Sequence, residues 1–236
     1  MGKKTGIWAA GVLVLLAASF PASAEDEPGS SLSWNASLVS DYLFRGVSQT
    51  NEKPTAQATL TWTAPAGFYA GTFLSGVDFG PGSPHTEADL FVGYGHSLGD
   101  KVALDVLLSH YNYPGGSDLA YNELVTTATI DERWKLVLGY SNDIWNTGTT
   151  AMYYGAGAEW PLPKDFSLSA NIGRTAFNDN LAVGAEDYTD WNVSVSKTIG
   201  IADVALGYYG TDGAGRRSFG NLADNRLLLT VSFGSH

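Results

Sequence analysis

The sequence predicts an all-β fold: a single antiparallel transmembrane β-barrel of about twelve strands, with both termini on the short-turn, periplasmic side. Three observations carry this. Segments of strand length alternate apolar and polar residues; their connections are alternately short and long; and aromatic residues collect near segment ends. Strands of roughly 9 to 11 residues cross a bilayer at a tilt, and a barrel hides its lipid face in period-two alternation.

The first 24 residues stand apart. Lys3 and Lys4 precede an apolar run from Ile7 to Ala18, and Ala22-Ser23-Ala24 lies before Glu25-Asp26-Glu27. This is the pattern of a cleaved secretory signal peptide. The expected organisation is therefore a signal peptide over 1–24 and one barrel domain over 25–236. Without the signal the chain loses two of its thirteen basic residues and none of its twenty-four acidic ones, leaving a formal charge of −13. Such an acidic chain argues against nucleic-acid binding. Cysteine is absent, which removes disulfide and thiolate chemistry. With 28 glycines in 236 residues, against roughly 7% on average, strands and tight turns are favoured over long helices.

In chain order, Ser33 to Phe44 places Trp34, Ala36, Leu38, Tyr42 and Phe44 on one phase and Ser33, Asn35, Ser37, Asp41 and Arg45 on the other. Thr55 to Ala64 sets Ala56, Ala58, Leu60 and Trp62 against a threonine-rich face. Phe68 to Val77 is a glycine-containing strand of ambiguous alternation. Glu87 to Leu98 opposes Ala88, Leu90, Val92 and Tyr94 to Glu87, Asp89, Gly93 and Gly95, and Val102 to Ser109 continues the rhythm beyond a Gly99-Asp100 turn. Tyr121 to Ile130, Trp134 to Ser141, Met152 to Trp160 and Phe166 to Ile172 follow. Trp191 to Ser196, Ala202 to Tyr209 and Asn225 to Phe233 complete the set.

Short connections fall at 65–67, 99–100, 131–133, 161–165 and 199–201. Long ones fall at roughly 46–54, 78–86, 114–120, 142–150, 176–188 and 210–224. An outer-membrane barrel sorts its connections this way. Trp34, Trp62, Phe68, Trp134, Trp160, Phe166 and Phe233 then gather at the short-turn end. Tyr42, Phe44, Tyr111, Tyr113, Tyr140, Tyr154, Trp191, Tyr208 and Tyr209 gather at the long-loop end. Two aromatic girdles are expected where amphipathic rings settle at bilayer interfaces.

On the opposite phase lie six acids, Asp41, Glu87, Asp89, Asp105, Glu123 and Glu159, and three bases, Arg45, Lys135 and Arg226. Charge facing lipid costs roughly 2 to 4 kcal/mol at the midplane for Arg or Lys, so this phase is expected to line a lumen with a mild cation preference. The same charges also fit ion pairs bracing a filled barrel. Asp41 and Arg45 stand four residues apart, roughly 13 Å along a strand, too far to pair directly. Arg45 is expected to answer an acid on another strand, either as a clamp or as a constriction.

The segment Asp41-Tyr42-Leu43-Phe44-Arg45-Gly46-Val47-Ser48-Gln49 resembles the N-terminal signature of the TorF family of porin-like, exported proteobacterial proteins, with Asp41, Tyr42, Phe44, Arg45, Gly46 and Ser48 carrying the match. The resemblance implies a Gram-negative outer-membrane barrel that passes small solutes or ions passively and needs no cofactor. Lipids and lipopolysaccharide would surround it and the barrel-insertion machinery would place it. Outer-membrane proteins commonly end on an aromatic residue read by that machinery, whereas Gly234-Ser235-His236 here follow Phe233.

Two other classes compete. A plugged barrel without transport is one. A lipid hydrolase is the other, with His96-Ser97 and Ser109-His110 as its candidate residues, although adjacent strand residues face opposite ways. Asp179, Glu186, Asp187 and Asp190 make one long connection acidic, read as a solvated loop rather than a metal site. Gly80-Pro81-Gly82 and Gly213-Ala214-Gly215 are expected to be loop tips with no helix behind them.

Overall fold

The structure, a computed structural model, describes residues 29–235; the signal-peptide expectation for 1–24 and the last residue, His236, lie outside them. The described chain forms a closed antiparallel barrel of twelve strands and a separate two-stranded hairpin. In chain order the strands are β1 Ser31–Val39, β2 Leu43–Phe44, β3 Val47–Ser48, β4 Thr55–Thr63, β5 Phe68–Gly76, β6 Thr86–Leu98, β7 Val102–Tyr111, β8 Tyr121–Ile130, β9 Trp134–Ser141, β10 Ala151–Leu162, β11 Phe166–Phe177, β12 Tyr188–Ile199, β13 Ala202–Thr211 and β14 Arg226–Gly234. β2 and β3 form the separate hairpin. The other strands pair in sequence, and β1 closes on β14 with Ala36 opposite Phe233.

Alternation explains the two faces. Along β4, Ala56, Ala58, Leu60 and Trp62 are exposed on the outside while the threonine phase turns inward. β6 repeats this, with Leu90 64% exposed and the neighbouring Asp89 3% exposed. The apolar side is the outer surface, an inversion of a soluble core that a hydrocarbon solvent permits.

The ambiguous segment, β5, is resolved by its rings: Tyr69 and Phe73 point inward while Phe68 and Leu74 point out. Inner rings need empty space opposite them, and glycine provides it. A Cβ on Gly93 would stand 2.2 Å from the Tyr69 ring, and one on Gly173 would stand 2.0 Å from the Tyr153 hydroxyl. Glycine inside this barrel therefore makes room for aromatic side chains.

Loop parity also holds. The connections 64–67, 99–101, 131–133, 163–165 and 200–201 are short, and the six at the other end are longer. Two of the long ones contain α-helices, α1 Asn180–Val183 and α2 Gly213–Phe219. Gly213-Ala214-Gly215 thus opens a helix, contrary to the sequence expectation. Asp212 accepts hydrogen bonds from Ala214 and Gly215 N–H, so that helix end is capped. No helix among the described residues is long and apolar enough to cross a membrane, which says nothing of crossing by strands.

Candidate functional site in the barrel lumen

The first long connection carries the site. Strand β1 ends at Val39, earlier than the alternation suggests, and Asp41 to Thr50 folds into the barrel. Leu43–Phe44 pairs with Val47–Ser48 across a two-residue turn at Arg45-Gly46. Both turn residues have positive φ, 49° and 79°, as a type I′ hairpin turn requires. A Cβ on Gly46 would meet Thr211 Cγ2 at 2.7 Å and Asp190 Cβ at 3.0 Å, so the tip abuts the wall of β12 and β13.

The charges of the motif anchor this hairpin at both ends. At its base Asp41 accepts from Arg226 Nη1 at 2.5 Å, Ser48 Oγ at 2.6 Å and Thr50 Oγ1 at 2.8 Å. Arg226 also reaches Glu52 at 3.1 Å. At its tip Arg45 Nη2 donates to Glu123 Oε1 at 2.6 Å, both residues at most 5% exposed. Glu123 lies on β8, which is five strands round the barrel from β1, nearly opposite. The ion pair therefore spans the lumen. The guanidinium also lies over the Tyr153 and Phe44 rings, at 4.1 and 4.8 Å from their centroids.

Tyr42 completes the closure. Its hydroxyl donates to Glu87 Oε1 at 2.7 Å and its ring meets Phe73 edge-on at 6.0 Å. Phe44 packs edge-on against Tyr111 at 5.9 Å, and Tyr111 stacks on Tyr121 at 4.5 Å. A twelve-stranded barrel lies between those of about eight strands, filled by their own side chains, and those of roughly 16 to 18 with an aqueous channel. An inserted hairpin is the kind of element that fills the intermediate width.

The pore-lining candidates all fall on the inward phase or on the hairpin. Asp41, Arg45, Glu87, Asp89 and Glu123 are buried, and Asp105, Lys135, Glu159 and Arg226 are half-buried. Asp41 and Arg45 serve separate partners, one at the base of the hairpin and one at its tip. Asp89 accepts from the Asn112 N–H at 3.2 Å, and Tyr69 donates to Asp105 at 2.8 Å.

Among the girdle candidates, Trp34, Trp62, Trp134, Phe166, Tyr140, Tyr154 and Tyr208 are exposed on the outer surface. Trp160 meets Trp134 edge-on at 6.0 Å, Trp191 meets Tyr208 edge-on at 5.4 Å, and Phe233 is half-buried. Five of the rings expected in the outer girdle lie inside instead: Tyr42, Phe44, Tyr111, Tyr113 and Tyr209. Tyr42 and Phe44 follow the hairpin inward, while Tyr111 and Tyr209 share the phase of inward Ser109 and Gly207. A position near a strand end does not determine which face a ring occupies.

Sequence reasoning missed Asp190. Read as a loop acid, it lies on the inward phase of β12 with Tyr188, Asn192, Ser194 and Ser196, and Tyr153 donates to its Oδ1 at 3.5 Å. Extending that alternation two residues backwards would have found it. The other loop acids are engaged separately: Asp179 caps α1, Asp187 accepts from Phe177 N–H, and Arg217 grips Glu186 with two hydrogen bonds. The Arg217 hydrogen bonds hold the Glu186 carboxyl below its ordinary range, and Lys53 does the same for Asp78. No group of three or more metal-ligating side chains occurs among the described residues.

The two halves of the lumen wall differ. On β5 to β10, Tyr69, Phe91, Leu107, Val125, Val137 and Tyr153 form a buried apolar cluster among the inward charges Glu87, Asp89, Asp105, Glu123, Lys135 and Glu159. Across from it, β11, β12, β14 and β1 present hydroxyls and amides. Ser169 meets Ser194 at 2.7 Å, Asn171 donates to Asn192 at 3.0 Å and Ser232 to Ser37 at 3.3 Å. The hydrolase candidates split across the wall: Ser109 is buried inside, whereas His110 is outside with its Nδ1 2.9 Å from Asn122 Oδ1.

The fold is similar to that of a KdgM porin in complex with disordered oligogalacturonate, with a TM-score of 0.56 and 7% identity, covering 88% of this chain and 100% of that one. It is similar to the NanC porin, at 0.54 and 10% identity over 86% and 98% of the two chains. LpxR from Salmonella typhimurium gives 0.50 and 8% identity over 86% and 99%. At such identities the likeness is one of fold. No curated protein sequence matches the chain. A family model does match, over residues 23–232, and the chain belongs to that family, described as "Bacterial protein of unknown function (Gcw_chp)".

Proposed function

We propose that this protein is a porin-like channel of the Gram-negative outer membrane, exported through a signal peptide over 1–24, with both termini periplasmic and its hairpin at the outer mouth. The observation that carries the reading is the pairing of an apolar outer surface with a lumen whose charged hairpin is pinned by Arg45 and Glu123. A barrel that only needed filling could use apolar side chains, because replacing a buried ion pair by hydrophobic residues is often neutral or stabilising. An ionic latch on an inserted hairpin suits a path that is narrowed and can be relieved. The TorF-like signature supports the same reading, since its Asp, Tyr, Phe, Arg and Gly positions build the hairpin and its anchors.

The excess of inward acids over bases supports a mild preference for cations over anions. Planar-bilayer conductance tests both points. A cation-selective reversal potential that weakens in Asp105→Asn is expected; no conductance above protein-free membranes would favour the plugged barrel instead. Membrane residence has its own test. Leu206 is 52% exposed near the middle of β13, so Leu206→Arg is expected to cost roughly 2 to 4 kcal/mol in urea titrations of the bilayer-inserted protein. A loss under about 0.5 kcal/mol, usual for a solvated surface site, would contradict the lipid-facing assignment.

A further inference from the structure

We infer that the solute suited to this lumen is a neutral polyhydroxylated compound, a sugar or a polyol, rather than an anion. The inference rests on the channel reading above and deepens it. Two features of the wall and one of its charges carry it.

A sugar ring has apolar C–H faces and a hydroxylated rim. The lumen holds both kinds of surface, an apolar cluster around Tyr69 and Tyr153 set among the inward charges of β6 to β10, and a facing arc that includes Ser169, Ser194, Asn171 and Asn192. Binding sites of this kind combine apolar and aromatic walls with a few placed polar groups. Hydroxyls and side-chain amides both donate and accept, so they can exchange bonds with one another for bonds with a polyol without stranding a charge.

Two of the three inward bases point away from an anion. Arg45 is taken up by Glu123, and Arg226 by Asp41 and Glu52. An anionic solute would have to displace a carboxylate from a nearly dry pair. The inward polar atoms that lack a hydrogen-bond partner among the described residues include Thr230 Oγ1 and Asp190 Oδ2, on residues 6% and 4% exposed. A buried acceptor without a donor is costly, and a hydroxyl-bearing solute supplies that donor.

The test is osmotic swelling of proteoliposomes with glucose, glucosamine and glucuronate, which share a ring size and differ in charge, and glycerol as the small reference. Glucose is expected to enter faster than glucuronate. Asn171→Leu and, separately, Ser169→Val are each expected to lower the glucose-to-glycerol rate ratio by roughly fivefold, the equivalent of one lost hydrogen bond. Heat-modifiable gel mobility reports whether each variant forms a barrel, and Ser169→Val retains shape if Asn171→Leu does not assemble. Glucuronate entering as fast as glucose would overturn the solute class while leaving the channel intact, as would an unchanged ratio in a folded variant. No swelling with any solute, glycerol included, and none in Arg45→Asn either, would overturn the channel reading and this inference with it.

Discussion

Arg45→Asn is expected to raise channel open probability more than any other exchange of one side chain in the lumen. Asparagine tolerates the left-handed conformation that Arg45 adopts at φ 49°, so the turn survives and only the guanidinium is lost. Removing one partner of a buried ion pair costs about 3 to 5 kcal/mol, because the remaining charge, here Glu123, is left uncompensated. The contacts over Tyr153 and Phe44 go with it. At about 1.4 kcal/mol per factor of ten, a loss of 3 kcal/mol moves the seated-to-released ratio of the hairpin by roughly a hundredfold. The readout is open probability in planar bilayers. Arg45→Lys restores the charge without the planar fork and is expected to fall between the two. Equal open probability in all three proteins would show that the hairpin is held by its packing and by Asp41, not by the ion pair across the lumen.

Gly46→Ala is expected to release the same hairpin for a steric reason. The left-handed backbone at φ 79° costs a residue with a Cβ about 1 to 2 kcal/mol, and overpacking adds about 1 to 3 kcal/mol. The added carbon would lie 2.7 Å from Thr211 Cγ2. Thr211→Ser removes that methyl group and keeps the hydroxyl that donates to the Ala223 carbonyl at 2.8 Å. In a double-mutant cycle it is expected to recover the packing part of the loss and leave the conformational part. Strict additivity of the two changes would mean that the hairpin tip does not rest on β13.

The barrel was legible because its chemistry is periodic. Leu60 and Trp62, or Leu90 and Val92, announce the outer face by spacing alone, and the short connections mark one end. What was not legible depends on departures from that period. Nothing in the alternation of Tyr42 with Phe44 distinguishes a strand that continues to the membrane surface from a hairpin that has already turned inward. The information is in Arg45-Gly46, two residues whose positive φ values are a property of the folded turn. That Arg45 answers an acid on another strand is readable from the sequence, but identifying Glu123 requires the curvature that brings β8 opposite β1. The inner rings escaped notice for a related reason: Tyr69 and Tyr153 occupy inward positions because Gly93 and Gly173 vacate theirs.

The position of Arg226 has a consequence for biogenesis. It lies at the start of the last strand, yet it binds Asp41 and Glu52, which flank the hairpin near the beginning of the chain. The neighbouring seam joins Leu38 to Val231 and Trp34 to Ser235, so these contacts form only after nearly the whole polypeptide has been laid down. Non-local contacts of this kind form late, since the loop they close is the chain itself. A nascent barrel without its last strand therefore lacks the base anchor of its hairpin, and the same step that seals the cylinder also makes that anchor. Maturation and closure become one event, timed by the final strand.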